Sequence, residues 1–271
     1  MTSSTSPVVE SALLSVSGLA KSYGDGASRR QVLADVEFTA QAGDFLTIVG
    51  PSGAGKTTLL RCMSGLLAPD AGETRLSGAP VAEPPADMAL VFQDYSRSLL
   101  PWMSVVGNVT FPLRSRGVAK PERRTRAEEA LAAVGLESSA RLYPWQLSGG
   151  MQQRVAIARA LAYGPRILVM DEPFASVDAQ TRAELEDLVL DLRDRLGVTF
   201  LLVTHDIDEA VYLADRVVVL SGAPTTVTAV VPVDLGRKRD QVETKARPQF
   251  VSLRSQVYRL IRAAAEDKEA K

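Results

Sequence analysis

One stretch of the chain has the residue types and the spacing of a phosphate-binding loop. The segment Gly50-Pro-Ser-Gly-Ala-Gly-Lys-Thr57 matches the pattern G-x-x-x-x-G-K-[ST]. Glycines at these positions let backbone N–H groups turn inward around phosphate oxygens, where side chains would clash. We expect Lys56 to contact the β- and γ-phosphates and the Thr57 hydroxyl to ligate Mg²⁺. The pattern predicts binding of ATP or GTP; the alternative is a glycine-rich turn before a helix.

A pair of acids follows another apolar run. Ile167–Met170 has the character of a buried strand, and Asp171 and Glu172 come directly after it. An acid at the C-terminal end of a strand faces the ligand crevice of an α/β sheet. Asp171 suits the Mg²⁺ shell of a phosphate-loop enzyme, and Glu172 is then placed to polarise the attacking water. The alternative is that both acids cap the next helix.

The single histidine of the chain occupies a similar position. His205 follows the apolar run Phe200–Thr204 and precedes an acidic helix start, Asp206-Ile-Asp208-Glu209. A strand ending at the same sheet edge as Asp171 and Glu172 would bring His205 to the γ-phosphate. A structural role for a lone histidine is the alternative, and these observations alone leave both open.

The elements around the phosphate loop support the nucleotide prediction. Phe45–Val49 is an apolar, partly β-branched run that stops at Gly50, and Lys56–Leu66 has helical character. In this order the helix N-terminus, with its partial positive charge, points at the anion. The residues predicted to hold the nucleotide here are Gly50, Pro51, Ser52, Gly53, Ala54, Gly55, Lys56, Thr57 and Thr58.

The order of the remaining elements indicates the fold class. Further strands are predicted at Leu13–Val16, Val32–Thr39, Thr74–Leu76, Met88–Phe92, Phe200–Val203, Arg216–Leu220 and Thr225–Val231. From Val105 to Leu161 the pattern is helical and rich in Arg, Glu and Ala, and helices are also predicted at Gln180–Leu196 and Val251–Ala264. Alternating strands and helices favour a mostly parallel α/β core with an inserted helical subdomain.

Composition limits the classes of function. The chain has 271 residues, 46% hydrophobic and 23% charged, with a net charge of −1, so no basic field indicates nucleic acid as a partner. Its one cysteine, Cys62, excludes an intramolecular disulfide and fits a reducing compartment. No apolar run approaches the ~20 residues of a membrane span. Met1–Glu10 lacks the features of a signal peptide, and residues 1–12 are expected to form a disordered tail.

A second glycine-containing motif indicates the family. Leu147-Ser-Gly-Gly-Met-Gln-Gln-Arg154 resembles the signature motif of ABC ATPases. In that family the signature of one subunit closes over the ATP held by the phosphate loop of another. The resemblance therefore implies a second ATPase subunit and nucleotide contacts from Ser148, Gly149, Gly150 and Gln152. An N-capping serine followed by two flexible glycines would explain the helix start but not the whole motif.

Other segments fit the same family in the expected order. Tyr23 resembles the aromatic residue that stacks on adenine. Gln93 resembles the glutamine that senses Mg²⁺ and the attacking water, and Ser176-Val-Asp178 resembles the loop that crosses the dimer interface, with valine where leucine is more usual. By the same resemblance His205 becomes the switch histidine. The implied catalytic residues are Glu172, His205 and Gln93, the implied metal ligands are Thr57, Gln93 and Asp171, and Asp178 joins the nucleotide contacts.

A narrower likeness concerns the cargo. Leu99-Leu-Pro-Trp-Met-Ser-Val105, Val217–Gly222 and Pro232–Arg237 are similar to the ATPases of nitrate, sulfonate and taurine importers. Gly236 and Lys238 stand where prolines are usual in that subfamily. The likeness implies a peripheral subunit on the cytoplasmic face of the cell membrane. It would use ATP and Mg²⁺ and work with transmembrane permease subunits and, indirectly, a solute-binding protein.

The resemblance also implies how the chain is organised. It predicts an α/β P-loop NTPase core of RecA type with an antiparallel β portion. An ABC ATPase domain is expected at residues 13–240, with its helical subdomain at about 94–162, followed by a C-terminal helical extension at 241–271. The alternatives are a soluble ABC ATPase of DNA repair or translation, a small-molecule P-loop kinase, and an ABC subunit for another cargo.

The resemblance also places the contact with the membrane subunits. In ABC transporters a short helix of the membrane subunit docks in a groove near the glutamine loop. Here Gln93–Val106 would border that groove, and the apolar contacts offered to the partner would be Leu99, Leu100, Trp102 and Met103. The alternative is that Trp102 is a core residue of the helical subdomain.

Overall fold

Two sheets organise the chain in its computed structural model, which describes residues 12–93, 98–222 and 224–269. The strands are β1 (Leu14–Tyr23), β2 (Arg30–Ala40), β3 (Phe45–Val49), β4 (Ala71–Leu76), β5 (Ala79–Pro80), β6 (Met88–Val91), β7 (Ile167–Asp171), β8 (Thr199–Val203), β9 (Arg216–Leu220) and β10 (Val227–Pro232). The helices are α1 (Lys56–Met63), α2 (Val105–Ser115), α3 (Lys120–Ala133), α4 (Gly149–Ala162), α5 (Ala179–Leu196), α6 (Ile207–Leu213), α7 (Glu243–Ala246) and α8 (Pro248–Glu269). The tail predicted at residues 1–12 lies outside the described residues except for Ala12.

The larger sheet brings several predicted site segments to one edge. Its strand order is β10-β9-β3-β8-β7-β6, and all neighbours run parallel except β10, which is antiparallel to β9. Every residue of β3, β7 and β8 is buried, as expected for apolar strands covered on both faces. Parallel strands end at the same edge, so the phosphate loop after β3, Asp171 at the end of β7 and His205 after β8 all lie there.

A second sheet and α1 cover one face of the larger sheet. The second sheet has the order β2-β1-β4-β5, with antiparallel neighbours. Leu46 and Ile48 of β3 share a core with apolar residues of β1, β2 and α1. Phe45 and Val49 point to the opposite core, which contains residues of α2, α4, α5 and α6. The alternation along β3 therefore separates two hydrophobic cores, and the predicted antiparallel portion is present.

The inserted segment after β6 is helical, as the sequence indicates. Helices α2, α3 and α4 pack against one another before the chain returns to the sheet at β7. Ser104 caps α2 by accepting a hydrogen bond from Gly107 N at 3.2 Å. The subdomain bounds of 94–162 stay a prediction, and residues 94–97 lie outside the described ranges. None of the helices described in the structure is both long and apolar enough to cross a membrane.

The structure corrects some predicted element bounds. Strand β1 continues to Tyr23 instead of stopping at Val16, because Gly18 with φ of +60° shifts the register and breaks the alternation that the sequence shows. Helix α1 ends at Met63, and Gly65 with φ of +73° turns the chain before the predicted end at Leu66. The two-residue strand β5 carries no periodic pattern and is not predicted from the sequence. The last helix is longer at both ends than predicted.

Candidate functional site

The phosphate loop joins β3 to α1 and folds around its own lysine. Lys56 Nζ donates to the carbonyl oxygens of Gly50 at 3.0 Å and Pro51 at 3.2 Å. Gly53 and Gly55 both have φ of +74°, a conformation that glycine adopts without a steric penalty. The loop main chain thus encloses the ammonium group that is predicted to contact the phosphates.

A residue distant in sequence supports the loop from outside. Thr225 is fully buried, and its hydroxyl donates to the carbonyl oxygen of Ala54. Its main chain is tied to β2, because Thr225 N donates to Val32 O and Ala34 N donates to Thr225 O, each at 2.8 Å. The loop is therefore fixed to the second sheet. The sequence places Thr225 in a predicted strand but gives no signal of this contact.

Burial controls the charges around the loop. It lowers the pKa of Lys56 below its ordinary value, and the neighbouring carboxylates of Glu172 and Asp171 partly oppose this. It raises the pKa of Asp171, and the charge of Glu172 adds to that rise while Lys56 counters it. The lysine and the two acids thus share one partly dehydrated environment, in which Lys56 and the acids favour each other's charged forms whereas the charge of Glu172 disfavours that of Asp171.

The predicted metal ligands have the chemistry that Mg²⁺ requires. Asp171 is only 8% exposed, and the neighbouring Thr57 side chain acts to lower the pKa of its carboxyl. A carboxylate beside a hydroxyl is a set of hard oxygen donors, and Mg²⁺ in such sites completes its shell with phosphate oxygens and waters. The residues present therefore fit Mg²⁺, with Thr57 and Asp171 as its protein ligands and Gln93 as a further predicted contact.

The three predicted catalytic residues meet at one carboxylate oxygen. Gln93 Nε2 donates to Glu172 Oε2 at 3.1 Å, and His205 Nδ1 lies 3.2 Å from the same oxygen. Glu172 has φ of +44°, in the left-handed region that non-glycine residues rarely adopt. Its amide donates to Val203 O at 2.8 Å, which fixes this conformation to the end of β8. The side chain of His205 is 64% exposed and is therefore open to a ligand.

Tyr23 also lies beside the phosphate loop. It ends β1, is 44% exposed, and its hydroxyl is 3.4 Å from Thr58 Oγ1. An exposed ring next to the first turn of α1 is positioned to stack on a base whose phosphates lie in the loop. Adenine stacking by Tyr23 remains a prediction.

The signature residues begin α4. Ser148 caps the helix by accepting from Met151 N at 3.3 Å. A side chain at Gly150 would place its Cβ 2.4 Å from Thr181 Cγ2, so this glycine permits close contact between α4 and α5. Gln152 Nε2 donates to Pro144 O at 3.0 Å and Leu147 O at 3.3 Å and thereby orders the turn before α4. Its nucleotide contact remains a prediction.

Asp178 begins the neighbouring helix. It caps α5 by accepting from Thr181 N at 3.0 Å and from Thr181 Oγ1 at 2.7 Å. These hydrogen bonds hold the pKa of the Asp178 carboxyl below its ordinary value. Asp178 and the signature are therefore linked through Thr181, at the junction of α4 and α5.

The predicted site residues form two groups. The first lies at the edge of the larger sheet and comprises the phosphate loop with Tyr23, Gln93, Asp171, Glu172 and His205. The second lies where α4 and α5 begin and comprises Ser148, Gly149, Gly150, Gln152 and Asp178. Within residues 12–93, 98–222 and 224–269, none of the hydrogen bonds or ion pairs made by these residues joins the two groups. That the two groups meet at one nucleotide through a second subunit, as the resemblance implies, stays a prediction.

Comparison with known proteins finds relatives over nearly the whole chain. Residues 33–175 match the profile of the ABC transporter family. An ABC transporter ATP-binding protein of Methanocaldococcus jannaschii is 44% identical over 249 residues, which cover 92% of this chain and 91% of that protein. A taurine import ATP-binding protein of Pseudomonas fluorescens is 40% identical over 265 residues, covering 95% of this chain and 99% of that protein.

Solved structures give the same result for the fold. The protein cbiO1 of Clostridium perfringens, part of an ABC transporter complex, matches with a TM-score of 0.74 and 29% identity, covering 82% of this chain and 88% of that one. An ATP-binding cassette solved as a dimer in a post-hydrolysis state with ADP and Pi matches with a TM-score of 0.71 and 32% identity, covering 82% and 99%. These likenesses confirm the predicted α/β fold with a P-loop NTPase core.

Proposed function

The chain belongs to the ABC transporter family, and on this basis we propose that it is the ATP-hydrolysing subunit of an importer for a small anion of the taurine, sulfonate or nitrate kind. The observation that carries the proposal is the convergence of Gln93 and His205 on one oxygen of Glu172. This cluster lies beside the lysine of the phosphate loop. A base, a positioned amide and an exposed imidazole next to a phosphate site suit hydrolysis of ATP.

The reaction assigns a separate task to each side chain. Glu172 accepts a proton from the attacking water, which Gln93, bound to the same carboxylate, orients. His205 donates to the γ-phosphate, and Lys56 stabilises the negative charge that develops there. Mg²⁺, when bound, neutralises charge on the phosphate oxygens. The products are ADP and phosphate.

Assembly into a dimer completes the proposed site. The first turn of α4 has backbone N–H groups without intrahelical partners, and Gly149, which is exposed and has no side chain, leaves this helix end open to an anion. In the proposed dimer this helix end contacts the γ-phosphate of the ATP held by the partner's phosphate loop. A structural relative that was solved as a dimer supports this arrangement. Closure around two ATP molecules would then drive transmembrane permease subunits at the cytoplasmic face of the membrane.

The segment before α2 is the proposed docking surface for those subunits. Trp102 is 71% exposed, so the alternative that it is a core residue is wrong. Leu99, by contrast, is 2% exposed and belongs to the core rather than to the partner surface. The buried Asn108 donates to Leu100 O and Met103 O at 3.1 Å each and so fixes the turn that presents the tryptophan. A rigid, exposed aromatic residue is well suited to anchor a partner.

Substitution of Trp102 by glutamate should uncouple uptake from hydrolysis. Loss of a central aromatic anchor worth about 2 kcal/mol corresponds to roughly 30-fold weaker docking. We therefore expect ATP-driven uptake by the assembled transporter to fall strongly while basal ATPase activity of the chain is retained. Both activities can be measured on the same reconstituted complex.

A matched control separates docking from folding. Leu196 is 49% exposed at the end of α5, outside the docking surface, and Leu196→Glu should leave both activities unchanged. If Trp102→Glu lowered the melting temperature or removed ATPase and uptake together, its role would be structural and the docking surface would lie elsewhere.

The proposed cargo rests on relatives rather than on a contact in this chain. Curated relatives at 40–41% identity are taurine import ATP-binding proteins, and they cover at least 90% of this chain. In such an importer the solute-binding protein and the permease subunits contact the cargo. The chain itself supplies the energy of transport.

Growth of a deletion strain tests the cargo. Cells that lack the gene should not grow on taurine, alkanesulfonates or nitrate as sole sulfur or nitrogen source, depending on which anion is imported. The unsubstituted gene should restore growth, and a Glu172→Gln gene should not. Normal uptake of all three anions by the deletion strain, with no second transporter present, would overturn the cargo proposal and leave the ATPase assignment intact.

A further inference from the structure

A small cavity adjoins the base and the switch histidine. Its volume is about 30 Å³, and Glu172, His205, Arg182 and Glu209 are among the residues that line it. Arg182 comes from the first turn of α5 and Glu209 from the first turn of α6. One water needs roughly 10–15 Å³ of such volume together with two to four polar partners. The cavity is therefore large enough for a water molecule.

Polar atoms on the cavity wall lack partners in the described part of the chain. Glu209 is 5% exposed, and its Oε1 is buried without a hydrogen bond. Arg182 Nε is likewise buried and unpaired, although Nη1 of the same side chain lies 3.1 Å from Asp206 Oδ2. Leaving a buried polar group unsatisfied costs about 1–3 kcal/mol. Here one atom is a donor and the other an acceptor, so a single water can satisfy both.

We propose that an ordered water occupies this cavity, accepts a hydrogen bond from Arg182 Nε and donates to Glu209 Oε1 and to the carboxylate of Glu172. Three hydrogen bonds are typical of a buried water. Arg182 and Glu209 are then positioning residues, which hold the base without touching ATP. The inference rests on the proposed function, because it explains how Glu172 is held for hydrolysis.

Arg182 also connects the proposed water to the start of α5. Arg182 N donates to Asp178 O at 2.9 Å, within the helix start that follows the predicted dimer-interface loop. Asp206, the ion-pair partner of Arg182, directly follows His205 and caps α6 through the amides of Asp208 and Glu209 at 2.9 and 3.1 Å. A shift of α5 on dimer closure would thus be passed through Arg182 to the base and to the switch histidine.

Glu209 can act as an acceptor without being charged. Burial raises its pKa well above the ordinary value, the charges of Glu186 and Asp206 add to this rise, and Arg182 opposes it. A neutral carboxylic acid and an amide have the same shape and the same carbonyl acceptor. Glutamine should therefore replace Glu209 in this role, whereas leucine, of similar volume, should not.

A crystal structure of the full chain tests the water directly. At a resolution that shows ordered solvent, one water should lie about 3 Å from both Arg182 Nε and Glu209 Oε1. A dry cavity, or direct contact between these two side chains, would overturn the proposal whatever the kinetics show.

Turnover of MgATP by the full chain tests the positioning role. Glu209→Leu and Arg182→Lys should each lower kcat by roughly 10- to 100-fold, the usual loss when a supporting partner of a catalytic group is removed. The affinity for ATP should not change, because neither residue contacts the nucleotide. Glu209→Gln should stay close to the unsubstituted chain. Glu129 is an exposed glutamate on α3, and Glu129→Leu and Glu129→Gln are the matched controls.

The outcomes distinguish this inference from the proposed function. An unsubstituted chain that binds no ATP and hydrolyses none would overturn the proposed function. An active chain in which Glu209→Leu keeps its kcat, loses ATP affinity as well, or behaves no differently from Glu209→Gln would overturn the positioning role alone. If Glu209→Leu fails to fold, Arg182→Lys and the crystallographic water decide the question.

Discussion

Replacing Glu172 by glutamine should lower MgATP turnover by roughly 10²–10⁴ while leaving ATP binding intact, because that is the range for loss of a general base. Glutamine keeps the shape of the side chain and can still hydrogen-bond to Gln93 and His205, which both lie within 3.2 Å of Glu172 Oε2. It cannot accept a proton from water at neutral pH. Turnover is followed as phosphate release under saturating MgATP, and binding with a fluorescent ATP analogue.

The control for this substitution is an exposed glutamate that lies outside the site. The side chain of Glu184 on α5 is 53% exposed, and its contacts are a 3.6 Å ion pair to Arg154 and a 3.4 Å hydrogen bond from Gln180 Nε2. Glu184→Gln should therefore retain full turnover. Wild-type turnover by Glu172→Gln would show that another group is the base. Loss of ATP affinity together with turnover would show that Glu172 supports binding rather than catalysis.

Purified Glu172→Gln protein should be monomeric without nucleotide and dimeric with MgATP, and a second substitution, Ser148→Arg, should abolish the dimer. Arginine at this position places bulk where the partner's γ-phosphate would lie against the start of α4. It also removes a helix cap, at a cost of about 1 kcal/mol, which is too little by itself to unfold a domain. Light scattering of the double variant should show one mass with and without MgATP.

Ser115→Arg provides the matched control for Ser148→Arg. Ser115 ends α2, is exposed, and donates only to Pro112 O of its own helix at 2.8 Å. The same change there should leave the ATP-dependent increase in mass intact. If the Glu172→Gln protein bound ATP but showed no increase in mass, or if Ser148→Arg left the dimer unchanged, the signature would not contact a partner's nucleotide.

Much of the site can be predicted from sequence because its residues terminate buried strands. Phe45–Val49 and Arg216–Leu220 are observed with the bounds that their apolar runs predict. Continuous apolar runs between polar breaks leave little freedom of register, and in a parallel sheet their C-terminal ends must share an edge. The meeting of Asp171, Glu172 and His205 follows from that geometry.

Other features depend on partners that the sequence does not reveal. The pattern before α2 does not show which of two apolar residues is buried, yet Leu99 is in the core and Trp102 is exposed. Acidic residues at a helix start are usually solvated, yet Glu209 at the start of α6 is buried, because α5 packs over it. Burial of a polar residue depends on tertiary contacts with distant segments, whereas periodicity reports only the local face.

At Glu172 the left-handed backbone conformation lowers the stability of the fold, whereas the proposed hydrolysis requires the carboxylate at the same residue. A side chain with φ of +44° costs about 1–2 kcal/mol relative to an ordinary conformation, a penalty that glycine would not carry. Selection for a more stable fold would therefore favour glycine here, and selection for turnover would favour the acid. A Glu172→Gly variant would therefore relieve this backbone strain and at the same time lose the proposed base.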